Sequence, residues 1–154
     1  NIACSIQAMF HQAKGGLTVL LAPNCALHSC VGSETELRRK LATSGRVRAV
    51  VSLPSRIFAD GRPASSLIVL GDPRDAESAQ TLMVDMLGSG EPSGGAGAAA
   101  TRELPAEVAA HAACVLEAWV ERGEAPCEQG FCRVVGAEEI AENADVLTPW
   151  TYVG

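Results

Sequence analysis

Six cysteines and three histidines are the residues of this chain whose types are best suited to chemistry. Cys25 and Cys30 enclose four residues, as do Cys127 and Cys132, with His28 and His111 as further donors. Thiolate and imidazole sets of this kind hold zinc, but four intervening residues lie at the loose end of the usual spacing. Cys25 and Cys30 also follow an apolar run directly, without the glycine-rich knuckle that a zinc loop needs. The expectation is no metal site and reduced thiols, several of them small core residues. Nucleophilic catalysis by a cysteine needs a positioned Cys–His pair, and no such spacing is recognisable. Gly88 to Ala100 is rich in glycine, but no lysine follows in Walker fashion and no strand feeds a G-x-G-x-x-G turn. Two polar loop residues remain, Asn24 and His28, together with Arg38 and Arg39 on a charged segment just beyond.

The elements that must position these residues follow from the apolar pattern. LTVLLAP (17–23) is a continuous apolar run, the signature of a strand covered on both faces. Asn24 and His28 therefore fall just past the carboxyl end of a strand, where open α/β sheets bind ligands. Asn24 has a turn role as its alternative, bonding its own backbone, and His28 that of an exposed loop residue. ETELRRKLATS (34–44) reads as a helix with Leu37 and Leu41 inward, capped by Ser33 and closed by Glu36 in a capping box. Arg38 and Arg39 on it could touch phosphate, or simply form a solvated face.

The stretch VRAVVSLPSRIFADGRPASSLIVL (47–70) predicts two buried strands, 47–53 and 66–71, joined by a short connection carrying Ile57-Phe58 and Gly61-Arg62-Pro63. Pro54 stops the first strand because it cannot donate to a ladder. A parallel crossover needs a helix-containing link of about a dozen residues or more, and this connection shows no helix. Strand 66–71 is therefore expected to run antiparallel to its predecessor. TLMVDML (81–87) predicts a fourth strand. Ile2–Lys14 and Leu104–Arg122 predict helices, the latter with Val108, Ala112, Val115, Leu116 and Trp119 on one side. FCRVVG (131–136) predicts a strand and AEEIAEN (137–143) a helix. The fold class is α/β, with residues 1–87 as the main unit, 88–103 as a flexible linker and 104–154 as an extension.

Composition narrows the partners. The 154 residues carry a formal charge of −6, which argues against a free-standing nucleic-acid binder but not against DNA work inside a complex. No apolar run approaches the roughly 20 residues of a membrane helix, no signal peptide is visible, and a cytoplasmic protein is expected.

The ordered segments resemble the modification subunit of type I restriction–modification systems, a family of adenine-specific DNA methyltransferases. GGLTVLLAPNCAL (15–27) resembles the family's Gly-Gly, apolar strand and Leu-Pro-Asn-Gly segment. ELRRKLATSGRVRAVVSLPSRIF (36–58) resembles its next helix, the strand ending in Leu-Pro, and the phenylalanine. SSLIVL (65–70), TLMVD (81–85) and VVGAEEIAENADVLTPWTYV (134–153) resemble the segments that follow. The chain departs from the pattern at Cys25, where the family tends to glycine, and in the insertion at 88–100.

The resemblance implies the later portion of such a subunit. The sheet would be the second half of a Rossmann-like methyltransferase sheet, mixed, with strand 66–71 antiparallel between 17–23 and 47–53. Neither the glycine-containing loop that binds S-adenosylmethionine nor the Asn-Pro-Pro-Phe/Tyr motif that engages adenine occurs here. Methylation of a base amine requires base extrusion and close placement of both reactants, so the chain alone is expected to be inert. No residue is assigned to catalysis, cofactor or metal. Asn24, His28 and Arg38 are the expected DNA- or base-facing residues. The implied partners are the rest of the methyltransferase subunit, the specificity and restriction subunits, and DNA through the complex. The competing readings are a non-catalytic interaction module on the same fold and an unrelated nucleotide-binding or thiol enzyme.

Overall fold

A computed structural model of the chain describes residues 15–75, 78–97 and 100–154. The helix expected over 2–14 lies outside them. Five strands form one sheet: β1 (Thr18–Pro23), β2 (Val47–Ser52), β3 (Ser65–Leu70), β4 (Gln80–Asp85) and β7 (Cys132–Gly136), in the order β1-β3-β2-β4-β7. β3 runs antiparallel to both β1 and β2, pairing Leu20 and Val50 with Ile68. β2 and β4 are parallel. The short, helix-free link between β2 and β3 thus returns the chain antiparallel, as its length demands. β7 pairs antiparallel with β4 and adds a second reversed strand. Residues 104–154 therefore continue the same sheet as 15–87.

Alternation along β2 divides the interior. Val50 joins Leu27, Leu41, Ile68, Met83, Ile140 and Leu147 on one face. Ala49 and Val51 join Leu82, Val84, Ala112, Val115 and Trp119 on the other. The first face is covered by α2 (Gly32–Thr43) and α4 (Ala137–Glu142), the second by α3 (Ala106–Arg122). Every residue of β2 is buried, Arg48 and Ser52 included, so its apolar residues fall on both faces rather than alternating with exposed polar ones. At roughly 25 cal/mol per Å² of apolar surface removed from water, these two layers are the main source of stability.

Several local details differ from the sequence expectation. α2 starts at Gly32 with Val31 as N-cap and no side-chain cap, so Ser33 lies inside the helix. The Thr35 hydroxyl bonds the Val31 carbonyl at 3.2 Å and the Ser29 hydroxyl accepts the Val31 N–H at 3.1 Å, organising the entry one turn earlier. Glu36 pairs instead with Lys40 at 2.9 Å, an i,i+4 contact whose hydrogen bond and charge lower the Glu36 pKa. The segment read as a linker holds an antiparallel hairpin, β5 (Glu91–Gly94) with β6 (Thr101–Glu103). Cysteines are less buried than expected: Cys25, Cys30, Cys114 and Cys127 are exposed and Cys132 is buried. Burial pushes the Cys132 thiol pKa up, as for an inert core thiol.

Candidate nucleic-acid interface

β1, β2 and β4 point the same way, so their carboxyl ends meet at one edge of the sheet. Three segments gather there: residues 24–31, the link 53–64, and the turn after β4 that leads into the hairpin. The register of β3 ties the first two together. Asn24 donates its N–H to the Ala64 carbonyl at 2.8 Å, and its Oδ1 accepts the Ser66 hydroxyl at 2.7 Å. Asn24 is buried, only 8% exposed. Its side chain thus bonds a residue 42 positions away rather than its own turn.

Asn24 leads into α1 (Cys25–His28), one turn that buries Ala26 and Leu27 and leaves His28 exposed. Arg38 lies beneath this turn. Its Nε donates to the Asp145 carbonyl at 2.8 Å, Nη1 to the Ala26 carbonyl at 3.1 Å and Nη2 to the Ser29 carbonyl at 2.6 Å. Only 3% of Arg38 is exposed. Desolvation lowers its pKa, while Glu34 and Asp145 oppose that shift. Arg38 therefore fixes the backbone of the His28 turn and directs its guanidinium to protein carbonyls. Arg39, one position on, is the outward cation, pairing with Asp145 at 3.0 Å.

A second junction, missed from sequence, joins β2 to β4. The Ser52 hydroxyl donates to Asp85 Oδ1 at 2.5 Å and accepts the Met86 N–H at 3.0 Å. Asp85 Oδ1 also accepts the Leu87 N–H at 3.0 Å. The signal was present: a serine and an aspartate each closing an apolar strand. With these bonds the turns ending β2 and β4 hold one another in place.

The link between β2 and β3 and the start of β6 line a cleft of about 190 Å³, formed by Arg56, Phe58, Ala59, Gly61, Arg62 and Thr101. Arg56 has a φ of 62°, a left-handed conformation that costs a non-glycine residue about 1–2 kcal/mol. The Arg62 guanidinium stands 5.5 Å from the Phe58 ring centre, a cation–π contact, and its Nε bonds Asp60 at 2.6 Å. Sequence reading noted Phe58 and the Gly-Arg-Pro turn but did not bring the two arginines together.

Among the described residues the remaining chemically capable side chains form no further cluster. His111 bonds Glu128 at 2.9 Å and lies against Phe131 with ring centres 4.9 Å apart. Among the described residues no group of three or more His, Cys, Asp or Glu side chains is arranged to hold a metal ion. No helix among them is long and apolar enough to cross a membrane.

A mixed sheet with one reversed strand inserted between parallel neighbours, helices on both faces and its loops gathered at the carboxyl ends defines an α/β domain of the methyltransferase-like kind. The chain belongs to the N-6 DNA Methylase family, which it matches over residues 2–154. It is 26% identical over 154 residues to the type I restriction enzyme HindI methylase subunit of Haemophilus influenzae, covering all of this chain and 34% of that protein. Its fold is similar to the type I restriction–modification methyltransferase subunit from Streptococcus thermophilus, with a TM-score of 0.69 and 21% identity, over 92% of this chain and 27% of that one. A chain from a structure of the assembly and conformational transition of the type I system gives a TM-score of 0.69 at 17% identity, over 95% and 31%. The chain thus spans about one third of the length of these relatives.

Proposed function

We propose that this chain is the second half of the catalytic sheet of a type I DNA adenine-N6 methyltransferase subunit. The observation that carries the reading is β1. Among the described residues it is an edge strand with one partner, β3. Leu17 just before it, with Val19 and Leu21 on it, are exposed by 56%, 60% and 36%, the first two beside Leu116 and Val120 of α3. The same three positions would be buried were another strand and helix laid beside β1. An apolar, unpaired edge of this kind is avoided in a finished sheet. The remainder of the subunit is the occupant that the relatives' length supports.

The turns ending β1, β2 and β4 are occupied by their own bonds, Asn24 to Ser66 and Ser52 to Asp85. S-adenosylmethionine is assigned to the rest of the subunit, because the glycine-containing loop that the family resemblance implies for it does not occur in this sequence. When bound there, it would supply the methyl group. This chain's part is to present the His28 turn and the 53–64 link to DNA, with Asn24 and Arg38 as positioning residues. Specificity and restriction subunits would complete the assembly, as the relatives' system implies.

The test is to express the chain joined to the coding sequence that precedes it, together with a specificity subunit, and to quantify N6-methyladenine in the DNA by nucleoside mass spectrometry. The expected result is N6-methyladenine with the joined protein and none with the 154-residue chain alone. A folded joined protein that makes none would favour the non-catalytic interaction module.

A further inference from the structure

The cleft beside the hairpin is built around cations in a chain of formal charge −6. Arg56 occupies a position where glycine would serve the backbone without strain. The hairpin grips it from two sides. Arg102 donates its N–H to the Arg56 carbonyl at 3.0 Å, and the Arg56 guanidinium reaches the Gly97 carbonyl at 3.4 Å. That single long bond uses one of five guanidinium donors. Strained non-glycine residues held by their surroundings cluster at functional sites. Here the backbone conformation is kept despite its cost, and the side chain is what glycine would lack.

Arg62 closes the other wall. Asp60 takes its Nε, and the Phe58 ring lies 5.5 Å from its guanidinium carbon. Desolvation works against ionising Asp60, but the hydrogen bonds and charge of Arg62 prevail and lower its pKa, so it remains a carboxylate at neutral pH. Two guanidinium groups against one carboxylate leave the cleft cationic. The Thr101 hydroxyl adds a neutral polar group to the lining. Planar forks of this kind match the oxygens of a phosphate. Ala64 at the end of the same link and Ser66 on β3 are both bonded to Asn24, so the cleft and the His28 turn share one edge of the sheet.

We propose that Arg56 and Arg62 form a phosphate site that holds the backbone of a nucleic-acid strand at this edge, with the β5–β6 hairpin fixing Arg56 in place. The assignment deepens the methyltransferase reading and rests on it for the class of ligand. Contacts of this type position a duplex without reading its sequence.

The test uses the 15N-labelled 154-residue chain at low salt, with a mixed-sequence duplex and with inorganic phosphate as separate probes. The duplex is expected to shift the Arg56 and Arg62 Nε–H signals and the Thr101 amide. Arg62→Gln and Arg56→Gly, the latter suited to the left-handed backbone, should each weaken duplex binding several-fold and lower the salt slope by about one. Arg56→Lys should retain part of the affinity. Arg122→Ala, which removes a cation paired with Glu124, should change neither. Folded arginine variants that bind the duplex like the parent would overturn the site. Shifts with phosphate but none with the duplex would overturn the nucleic-acid assignment. Arginine-dependent duplex binding together with a joined protein that makes no N6-methyladenine would uphold this site while removing the methyltransferase reading.

Discussion

The Nε of Arg38 donates to the main-chain oxygen of Asp145 at 2.8 Å, across 107 residues of sequence. This bond ties α2 to the segment after α4, while two further N–H groups hold the carbonyls of the His28 turn. A cation on a charged helix thereby becomes an internal fastener. Arg38→Met keeps an unbranched apolar stem and removes all three carbonyl bonds. Each buried carbonyl left without a donor costs about 1–3 kcal/mol, so the expected loss is about 3 kcal/mol or more. Arg38→Lys should recover only part, because an ammonium lacks the planar fork. Urea unfolding with an unchanged m-value checks it.

The inward turn of Arg38 was partly legible. Arg38, Leu41 and Ala42 follow the 3–4 spacing of a buried helical stripe, and all three are buried. What the sequence did not carry was an acceptor for the guanidinium, because the Asp145 carbonyl is a backbone group that any residue provides. The sheet was far more legible, since β2 and β3 carry the apolar stretches Ala49–Val51 and Leu67–Leu70 and the length of their link restricts the direction of return. Asn24 was located in the right loop, but its partner Ser66 sits on a strand that register alone brings alongside. The hairpin β5–β6 escaped notice because Glu91–Gly94 contains proline and glycine and lacks apolar alternation. The arginine cleft needed that hairpin to become visible.

Trp119 Nε1 donates to the Arg48 carbonyl at 2.7 Å, fixing α3 to β2 beneath the second core layer. Trp119→Phe retains an aromatic ring but leaves a buried carbonyl without this donor and a gap where the larger ring stood. A loss of about 2 kcal/mol is expected, with Trp119→Ala reaching about 3–5 kcal/mol. Thermal and urea unfolding of the three proteins should rank them in that order.

Gly45 ends α2's approach to β2 with a φ of 63°, and a Cβ there would stand 2.7 Å from the Arg74 carbonyl oxygen and 2.9 Å from the Arg74 Cβ. Gly45→Ala therefore meets both the left-handed penalty of about 1–2 kcal/mol and a clash with backbone. Gly61, also left-handed at φ 72°, has open space around its Cβ position. Gly61→Ala should show the conformational cost alone. Comparison of the two denaturation midpoints separates strain from contact, and equal losses would contradict the close approach at Arg74.

Tyr152 is the chain's single tyrosine, which makes its titration directly readable. It is 5% exposed, and its hydroxyl donates to the Val146 carbonyl at 2.5 Å. Burial, with the charges of Glu139 and Asp145, pushes its pKa from the ordinary 10 up to about 12. Below pH 10 the phenol is neutral in folded and unfolded chains alike, so its contribution to stability is fully present. Between pH 10 and about 12 the unfolded chain has released the proton while the native state retains it. Stability must therefore fall as pH rises through that window. Tyrosinate absorbance should show a midpoint near 12 for the folded chain and near 10 in concentrated urea. Tyr152→Phe should remove this group's share of the alkaline loss, while lowering stability at neutral pH by the hydrogen bond, about 1 kcal/mol. A folded-state midpoint near 10 would mean that the hydroxyl meets water, and that the contact between the chain's last turn and the segment after α4 is looser than the Val146 bond requires.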